Sequence, residues 1–254
     1  MIYALIGGLS AFFGLGTGLG ATTLLRPMLD VISPLSPHSV ALLCTIATLG
    51  AALISAFFAL SQPLPLHQDE LLLLAVGGLL GGILGDVASN RFLSLLPQET
   101  STLLSNALLF TLVALPAVYF HTLSRTIRPL SITRLASLPV ALLCGLLASF
   151  LAFGAEPLVL MLYFLLFDAE NDESAAAALT VALTAMAGKL ITQLIRLRLR
   201  LPDADTLLWL LPATLIGAIL AMAPSMQQRA QKQGESLLRL SLFTTLLNIA
   251  AFFA

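Results

Sequence analysis

The chain has 254 residues, of which 58% are hydrophobic and only 10% are charged, and its formal net charge at pH 7 is −1. Soluble domains carry about 25% charged residues, so this composition excludes a water-soluble globular protein. The balanced charge and the lack of a basic patch also give no support for a nucleic-acid partner. We therefore expect the lipid bilayer to be the main surroundings of this chain.

Eight apolar runs follow one another, separated by short polar turns. About 20 apolar residues are enough to cross a hydrocarbon layer of roughly 30 Å. Inside lipid the backbone must satisfy its own hydrogen bonds, and continuous apolar runs without alternation favour helices over a barrel. We predict an all-α, polytopic transmembrane bundle of about eight segments. The runs cover residues 2–29, 39–60, 71–88, 102–120, 135–167, 175–195, 207–222 and 237–253.

The first and fifth runs are abnormal. The first has glycine at every second position, at Gly14, Gly16, Gly18 and Gly20, and the fifth is longer than one straight crossing needs. Glycine costs roughly 1 kcal/mol relative to alanine inside a helix. One interpretation of the glycines is close helix packing. The other is a helix that unwinds and presents free N–H groups to an anion. We predict that both segments are broken or re-entrant.

Two stretches of the sequence resemble each other at a constant spacing. Thr-Ile-Ala at residues 45–47 matches Thr-Val-Ala at 180–182, which lies 135 residues later. Upstream, residues 18–22 align with residues 152–156 to within about one position. Chance similarity of two apolar helices is the alternative to duplication. Transporters are often built from such repeats and hold substrate where broken helices meet. The predicted divisions are a first repeat at 1–121, a connecting loop at 122–134 and a second repeat at 135–254.

The glycine segment resembles a known family signature. Residues 18–29, Gly-Leu-Gly-Ala-Thr-Thr-Leu-Leu-Arg-Pro-Met-Leu, are similar to the Gly-x-Gly-Gly-Gly and later Pro-x-Leu of the TauE/SafE family of sulfite and sulfonate exporters. Residues 37–45 are similar to that family's next signature, a small-residue helix after a polar turn. The chain departs from the signature in two ways. Ala21 and Thr22 stand where glycines are usual, and in the second half Glu156 replaces a glycine.

The resemblance implies a helical, multi-pass transporter of a small sulfur-containing anion in the bacterial inner membrane. Charged residues inside a span are costly and therefore indicate function. Glu156 could carry a proton in exchange with substrate, or it could be a water-exposed carboxylate at a re-entrant tip. Lys189 could neutralise an anion, pair with Glu156, or extend towards the interface. Arg26 could bind a sulfonate or anchor the segment at the interface, and Asp86 is predicted to lie at a helix end.

The predicted substrate site combines these charges with glycines and threonines from the two halves. Threonine hydroxyls can instead bond the carbonyls of their own helix, which is the alternative for the threonines. Glu156 is assigned to proton coupling. No Cys/His spacing predicts a metal, and we expect no cofactor. The predicted substrate-binding residues are Gly16, Gly18, Gly20, Thr22, Thr23, Arg26, Thr45, Thr48, Gly154, Thr180 and Lys189.

The sequence therefore favours a secondary transporter, not an enzyme, that moves a sulfite- or sulfonate-like anion with proton or ion coupling. A small anionic substrate and the bilayer are its expected partners, and a homodimer is compatible with this function. One alternative is an assembly factor that transports nothing. The other is a membrane redox protein that uses Cys44 and Cys144, although these are 100 residues apart and lack a Cys-x-x-Cys spacing.

Overall fold

Ten α-helices form the part of the chain that the computed structural model describes, which is residues 1–33, 35–59, 65–123, 129–196, 204–223 and 234–253. The predicted all-α class is confirmed. A π-helical turn, Tyr119–Leu123, extends α5, and a 3-10 turn, Arg134–Ala136, precedes α6. The helices are α1 Ile2–Gly16, α2 Thr22–Ile32, α3 Pro37–Ala59, α4 Gln68–Ser94, α5 Gln98–Val118, α6 Ser137–Leu151, α7 Glu156–Phe167, α8 Asn171–Ile195, α9 Ala204–Ala221 and α10 Gly234–Phe253.

The first predicted segment is broken, as expected, into α1 and α2. Gly18 and Gly20 in the break have φ values of 75° and 81°. A right-handed helix cannot continue through positive φ, and glycine adopts that region without the steric cost of a Cβ atom. The glycine-rich stretch therefore ends one helix and lets the next begin at Thr22.

The fifth predicted segment is also broken, into α6 and α7, but with less help from glycine. Ala152 and Ala155 have φ values of 51° and 54°, and each such residue costs about 1–2 kcal/mol in the left-handed region. Ala152, Phe153 and Ala155 are completely buried. Tertiary packing therefore holds this break in a conformation that alanine disfavours.

Five helical stretches in the described part of the chain are long and apolar enough to cross a bilayer. The two helices that follow the breaks are not. With 11 and 12 residues, α2 and α7 are about 16–18 Å long at 1.5 Å per residue, and so reach only partway across the hydrocarbon layer. The long stretches are Pro37–Ala59, Gln68–Phe92, Thr100–Thr122, Arg134–Leu151 and Asn171–Ile195.

The contacts between helices come in matched pairs. The contact of α1 with α9 corresponds to that of α6 with α4, and the contact of α2 with α10 corresponds to that of α7 with α5. The central pair is α3 with α8. Exchanging the two halves of the chain leaves this pattern unchanged, which is the arrangement expected of a pseudo-two-fold axis. The repeat boundaries themselves stay a prediction.

Glycines on α4 allow its neighbours to approach closely. A methyl group at Gly77, Gly81 or Gly85 would overlap the backbone of α6, and one at Gly82 would overlap the backbone of α8. Membrane helices associate through such small-residue surfaces because lipid supplies no hydrophobic driving force between them. The close approach fixes α4 between α6 and α8, next to the second break.

The described end of the predicted connecting loop holds the C-terminal end of α7. The backbone N–H groups of Leu130 and Ile132 donate to the carbonyls of Leu165 and Leu166, at 2.9 and 2.7 Å. The last carbonyls of a helix lack partners within it, so the connector satisfies two of them. Residues 124–128 of the predicted loop lie outside the described ranges.

Helix α10 supports α2 at its proline. Pro27 has no N–H, so the Thr23 carbonyl lacks its normal helical partner. The Ser241 hydroxyl donates to that carbonyl at 2.6 Å, and Asn248 Nδ2 donates to the Pro27 carbonyl at 3.2 Å. The side chains of α10 thus complete the hydrogen bonding of the short helix that follows the first break.

Ser241→Ala is expected to destabilise the protein by about 1–3 kcal/mol, because a buried carbonyl would lose its partner. Thermal unfolding of the purified protein in detergent measures the effect. Thr245→Ala is the matched control, since this fully buried hydroxyl donates to the Ser241 carbonyl in its own helix. In a Pro27→Ala background a new N–H satisfies Thr23, so Ser241→Ala should cost less there. Equal costs in both backgrounds would contradict this assignment.

Candidate functional site

The two helix breaks meet in the interior of the protein. The backbone N–H of Gly154, in the second break, donates to Oγ1 of Thr22 at 2.8 Å. Thr22 is the first residue of α2, and it is completely buried. Because a hydrogen bond across 132 positions of sequence joins the two breaks, the start of α2 and the segment before α7 lie side by side.

Glu156, the first residue of α7, lies in this meeting place. Its carboxylate packs against Gly20 and Gly154, and a methyl group added to either glycine would overlap it. The residue is 5% exposed, and within the described part of the chain Oε2 has no hydrogen-bond partner. The start of a helix carries a partial positive charge that favours an anion. The carboxylate therefore sits in a positive but incompletely bonded position.

The first residues of the two short helices make reciprocal contacts. Thr22 of α2 reaches Gly154 in the second break, and Glu156 of α7 reaches Gly20 in the first. These are equivalent positions in the alignment of 18–22 with 152–156. The second half therefore has a carboxylate where the first has a hydroxyl, and the charge of the meeting place is asymmetric.

Arg26 lies one turn beyond Thr22 on the same face of α2, because residues four apart are neighbours on a helix. Its Nε donates to Asp30 Oδ2 at 2.8 Å, while Nη1 is buried and has no hydrogen-bond partner among the described residues. The residue is 7% exposed. A buried donor without an acceptor costs about 1–3 kcal/mol, and more when it is charged. An anion could supply the missing acceptor.

A second buried cation, Lys189 of α8, lies near Arg26. Its Nζ donates to the Ser149 carbonyl at the end of α6, and the residue is 3% exposed. The charges of Arg26 and Lys189 interact electrostatically, and the Cys44 thiol interacts electrostatically with both. Like charges at close range repel each other. Each cation also has a carboxylate in its surroundings, Asp30 for Arg26 and Asp86 for Lys189, so two positive and two acidic groups are buried around these helices.

The whole chain matches one protein family. The family model described as Sulfite exporter TauE/SafE matches residues 1–253. The chain belongs to the TauE/SafE family. It is therefore an integral, multi-pass membrane protein of a transporter family, which confirms the resemblance seen in residues 18–29 and 37–45. No curated protein and no solved structure matches the chain.

In this TauE/SafE protein all the predicted threonines except Thr22 donate their hydroxyls within their own helices or segments. The hydroxyls of Thr45, Thr48 and Thr180 donate to carbonyls four residues earlier, at 2.7–2.8 Å. The Thr23 hydroxyl donates to the Leu19 carbonyl. This was the alternative considered for such residues. Their lone pairs remain acceptors, which an anion does not need, so their part in substrate binding stays a prediction.

The other predicted residues divide into two groups. Gly20 and Gly154 lie at the meeting place, beside the Glu156 carboxylate. Gly16 ends α1, and Gly18 faces open space where a methyl group would meet no atom within 4 Å. Within the described ion pairs and hydrogen bonds Lys189 is not joined to Glu156, because its ammonium group bonds Ser149.

Asp86 was predicted at a helix end, and that prediction is wrong. It lies inside α4, which continues to Ser94 because the polar residues after the apolar run remain helical. Its carboxylate accepts from Gln193 at 3.2 Å and from Asn90 at 3.1 Å. The buried carboxylate thus satisfies two amides between α4 and α8, and its charge acts on Lys189.

Sequence reasoning missed Asp30 and a second polar cluster. Asp30 could have been found, because it stands four residues after Arg26 on one helix. The cluster surrounds the buried Glu70 carboxylate, which accepts from Arg134 at 3.0 Å, Tyr163 at 3.1 Å and Ser137 at 3.2 Å. It joins α4, α6 and α7 away from the helix breaks. No local pattern connects residues so distant in sequence.

The two cysteines occupy different packing environments. Cys44 packs with the apolar side chains of α1, α2 and α9, whereas Cys144 belongs to the larger core around α7. Both are free thiols. Among the described residues no group of three or more His, Cys, Asp or Glu is arranged as metal ligands.

Proposed function

We propose that this TauE/SafE protein is a secondary transporter for a small sulfur oxyanion, such as sulfite or a sulfonate. The anion binds beside Arg26, close to the point where the two broken segments meet. Gly20, Thr22 and Gly154 shape the approach, and Lys189 adds a second positive charge. Glu156 couples the movement of the anion to a proton.

The unpartnered Nη1 of Arg26 is the observation that carries this proposal. A guanidinium presents a planar fork of donors, and an oxyanion with two or three oxygens can accept two of them at once. Arg26 uses Nε on Asp30, which orients the fork and leaves the other edge available. A buried donor with a fixed direction and a second cation nearby suit a small, strongly solvated anion, because together they replace its water.

The discontinuous helices support the same proposal. In transporters, half-helices bring their positive ends to an anionic substrate near the middle of the membrane. Here α2 and α7 are too short to span, and both begin at the meeting place. A site between two breaks can be reached from either side when one half moves against the other. The architecture therefore suits alternating access.

Uptake into proteoliposomes tests the substrate class. The purified full chain is reconstituted and assayed with sulfite, thiosulfate and methanesulfonate, with acetate as the carboxylate comparison, with and without a pH gradient. We expect uptake of at least one sulfur oxyanion above that of empty liposomes. If none of the three sulfur oxyanions is transported, or if acetate is transported equally well, the proposed substrate class is rejected.

Glu156→Gln is expected to abolish uptake driven by a pH gradient, because glutamine keeps the shape of the side chain but cannot exchange a proton. Exchange of labelled for unlabelled anion without a gradient should continue, since anion binding needs no carboxylate. Comparing the two assays on the same proteoliposomes separates coupling from binding. Unchanged gradient-driven uptake would remove Glu156 from the coupling mechanism.

A further inference from the structure

We infer that the Glu156 carboxylate occupies an anion position at the start of α7, so that substrate enters as Glu156 takes up a proton and both cross in the same direction. This inference rests on the proposed function and deepens it. Exchange of a proton against substrate was the expectation from the sequence. The geometry of Glu156 points to co-transport instead.

The start of α7 has the properties of an anion site. The first N–H groups of a helix lack partners within it and attract negative charge. In this 12-residue helix the negative group is supplied by the chain itself. The Glu156 carboxylate interacts with its own backbone N–H, and Oε2 remains buried and without a partner. A side chain thus stands where a free anion would bind.

The surrounding glycines hold the carboxylate in that position. Gly20 approaches from one break and Gly154 from the other, so closely that neither could carry a methyl group. Thr22 closes the same place by its bond to Gly154. A substrate anion that approaches the meeting place therefore encounters space already filled by a carboxylate, and the two compete.

The charged side chains nearby bond groups other than Glu156. Titratable groups on the helices next to the two breaks include Arg26 and Asp30 on α2, Cys44 on α3, Asp86 on α4, Cys144 on α6 and Lys189 on α8. Arg26 bonds Asp30, and Lys189 bonds the Ser149 carbonyl. Asp172 and Glu173 belong to the first turn of α8, beside the far end of α7. Within the described interactions, none of these groups makes an ion pair with Glu156.

A substrate anion at the start of α7 would lie against the Glu156 carboxylate, and the two negative charges disfavour each other because burial of each is costly and their repulsion adds to that cost. Protonation removes the charge of Glu156 and lets the side chain leave the helix start. By linkage, a proton that strengthens anion binding must itself be bound more strongly when the anion is present. Proton and anion therefore load together and are released together.

The test measures binding and proton uptake on the same protein. The purified full chain is titrated with methanesulfonate and thiosulfate, which keep their charge between mildly acidic and mildly alkaline pH. We expect affinity to strengthen as pH falls, by at most about tenfold per pH unit. Calorimetry in buffers of different ionisation heat should show proton uptake approaching one per anion bound.

Glu156→Gln should bind these anions equally well at every pH, with the affinity of the acidic wild type and no proton uptake. Glu70→Gln is the matched control. It also removes a buried carboxylate, but one bonded to Tyr163 and Arg134 away from the breaks. It should keep the pH dependence of the wild type.

The inference would be overturned if anion binding by the wild type were independent of pH, strengthened as pH rises, or released protons. A pH dependence that persists in folded Glu156→Gln would also overturn it. The number of protons taken up per anion is measured on the wild type, so it tests the inference even if Glu156→Gln fails to fold. If methanesulfonate, thiosulfate and sulfite all fail to bind at any pH, the proposed function itself is rejected.

Discussion

Gly20→Ala is expected to lower pH-driven anion uptake by about tenfold more than Gly18→Ala, a difference of roughly 1.4 kcal/mol in the transport barrier. Both glycines have positive φ, so each substitution carries a similar backbone cost of about 1–2 kcal/mol. Only at Gly20 would the new methyl group overlap the Glu156 carboxylate. The carboxylate must then leave the start of α7, and coupling fails with it.

This comparison separates backbone strain from displacement of the carboxylate. Thermal unfolding in detergent should show the backbone cost in both variants and a further loss in Gly20→Ala from the overlap with Glu156, while uptake in proteoliposomes reports the effect on coupling. Adding Glu156→Ala to Gly20→Ala removes the overlap and should restore the stability lost to it. Equal uptake by the two single variants would show that the contact between Gly20 and Glu156 has no part in transport.

Arg26→Lys is expected to weaken binding of methanesulfonate by about 10–100-fold. Lysine keeps the positive charge and can still pair with Asp30, but it loses the planar fork that would hold two oxygens. Hydrogen bonds to charged groups contribute about 1.5–3 kcal/mol each, which corresponds to this range. Equilibrium binding to the purified protein measures the change.

Arg134→Lys provides the matched control for Arg26→Lys. Arg134 also presents a fork of donors, but it binds Glu70 and Glu173 at the far end of α7. We expect it to lower stability slightly and to leave anion affinity within about twofold of the wild type, as for a partly exposed ion pair. If both variants bind equally well, or Arg26→Lys binds as the wild type does, Arg26 is not the anion ligand.

The first break could be predicted from its glycines, whereas the second was inferred from the length of its segment and from the alignment of residues 152–156 with 18–22. Ala152 and Ala155 carry no local signal, since alanine is the best helix former. Their left-handed conformation exists because the surrounding core fixes it. The sequence therefore predicts the second break and its approximate position, but not which residues adopt the left-handed conformation.

The charged residues show a similar limit. The sequence placed Glu156, Lys189 and Arg26 in apolar segments but left open whether each side chain reached water or the interface; all three are buried. Their partners were harder to predict. The acceptor of Lys189 is a backbone carbonyl. Because every residue has a carbonyl, the sequence does not indicate which one the lysine bonds. The contact of Glu156 with Gly20 needs two breaks to meet in space, and a sequence alone does not supply that distance.

The bonds from α10 to α2 have a consequence for biogenesis. Residues 22–32 are synthesised well before α10, but the carbonyls of Thr23 and Pro27 accept hydrogen bonds from Ser241 and Asn248 of that helix. Until α10 inserts, the Thr23 carbonyl lacks the partner that Pro27 cannot supply. The helix that carries Arg26 is therefore fully hydrogen-bonded only after α10 has joined it, and the proposed anion site would be completed late in membrane insertion.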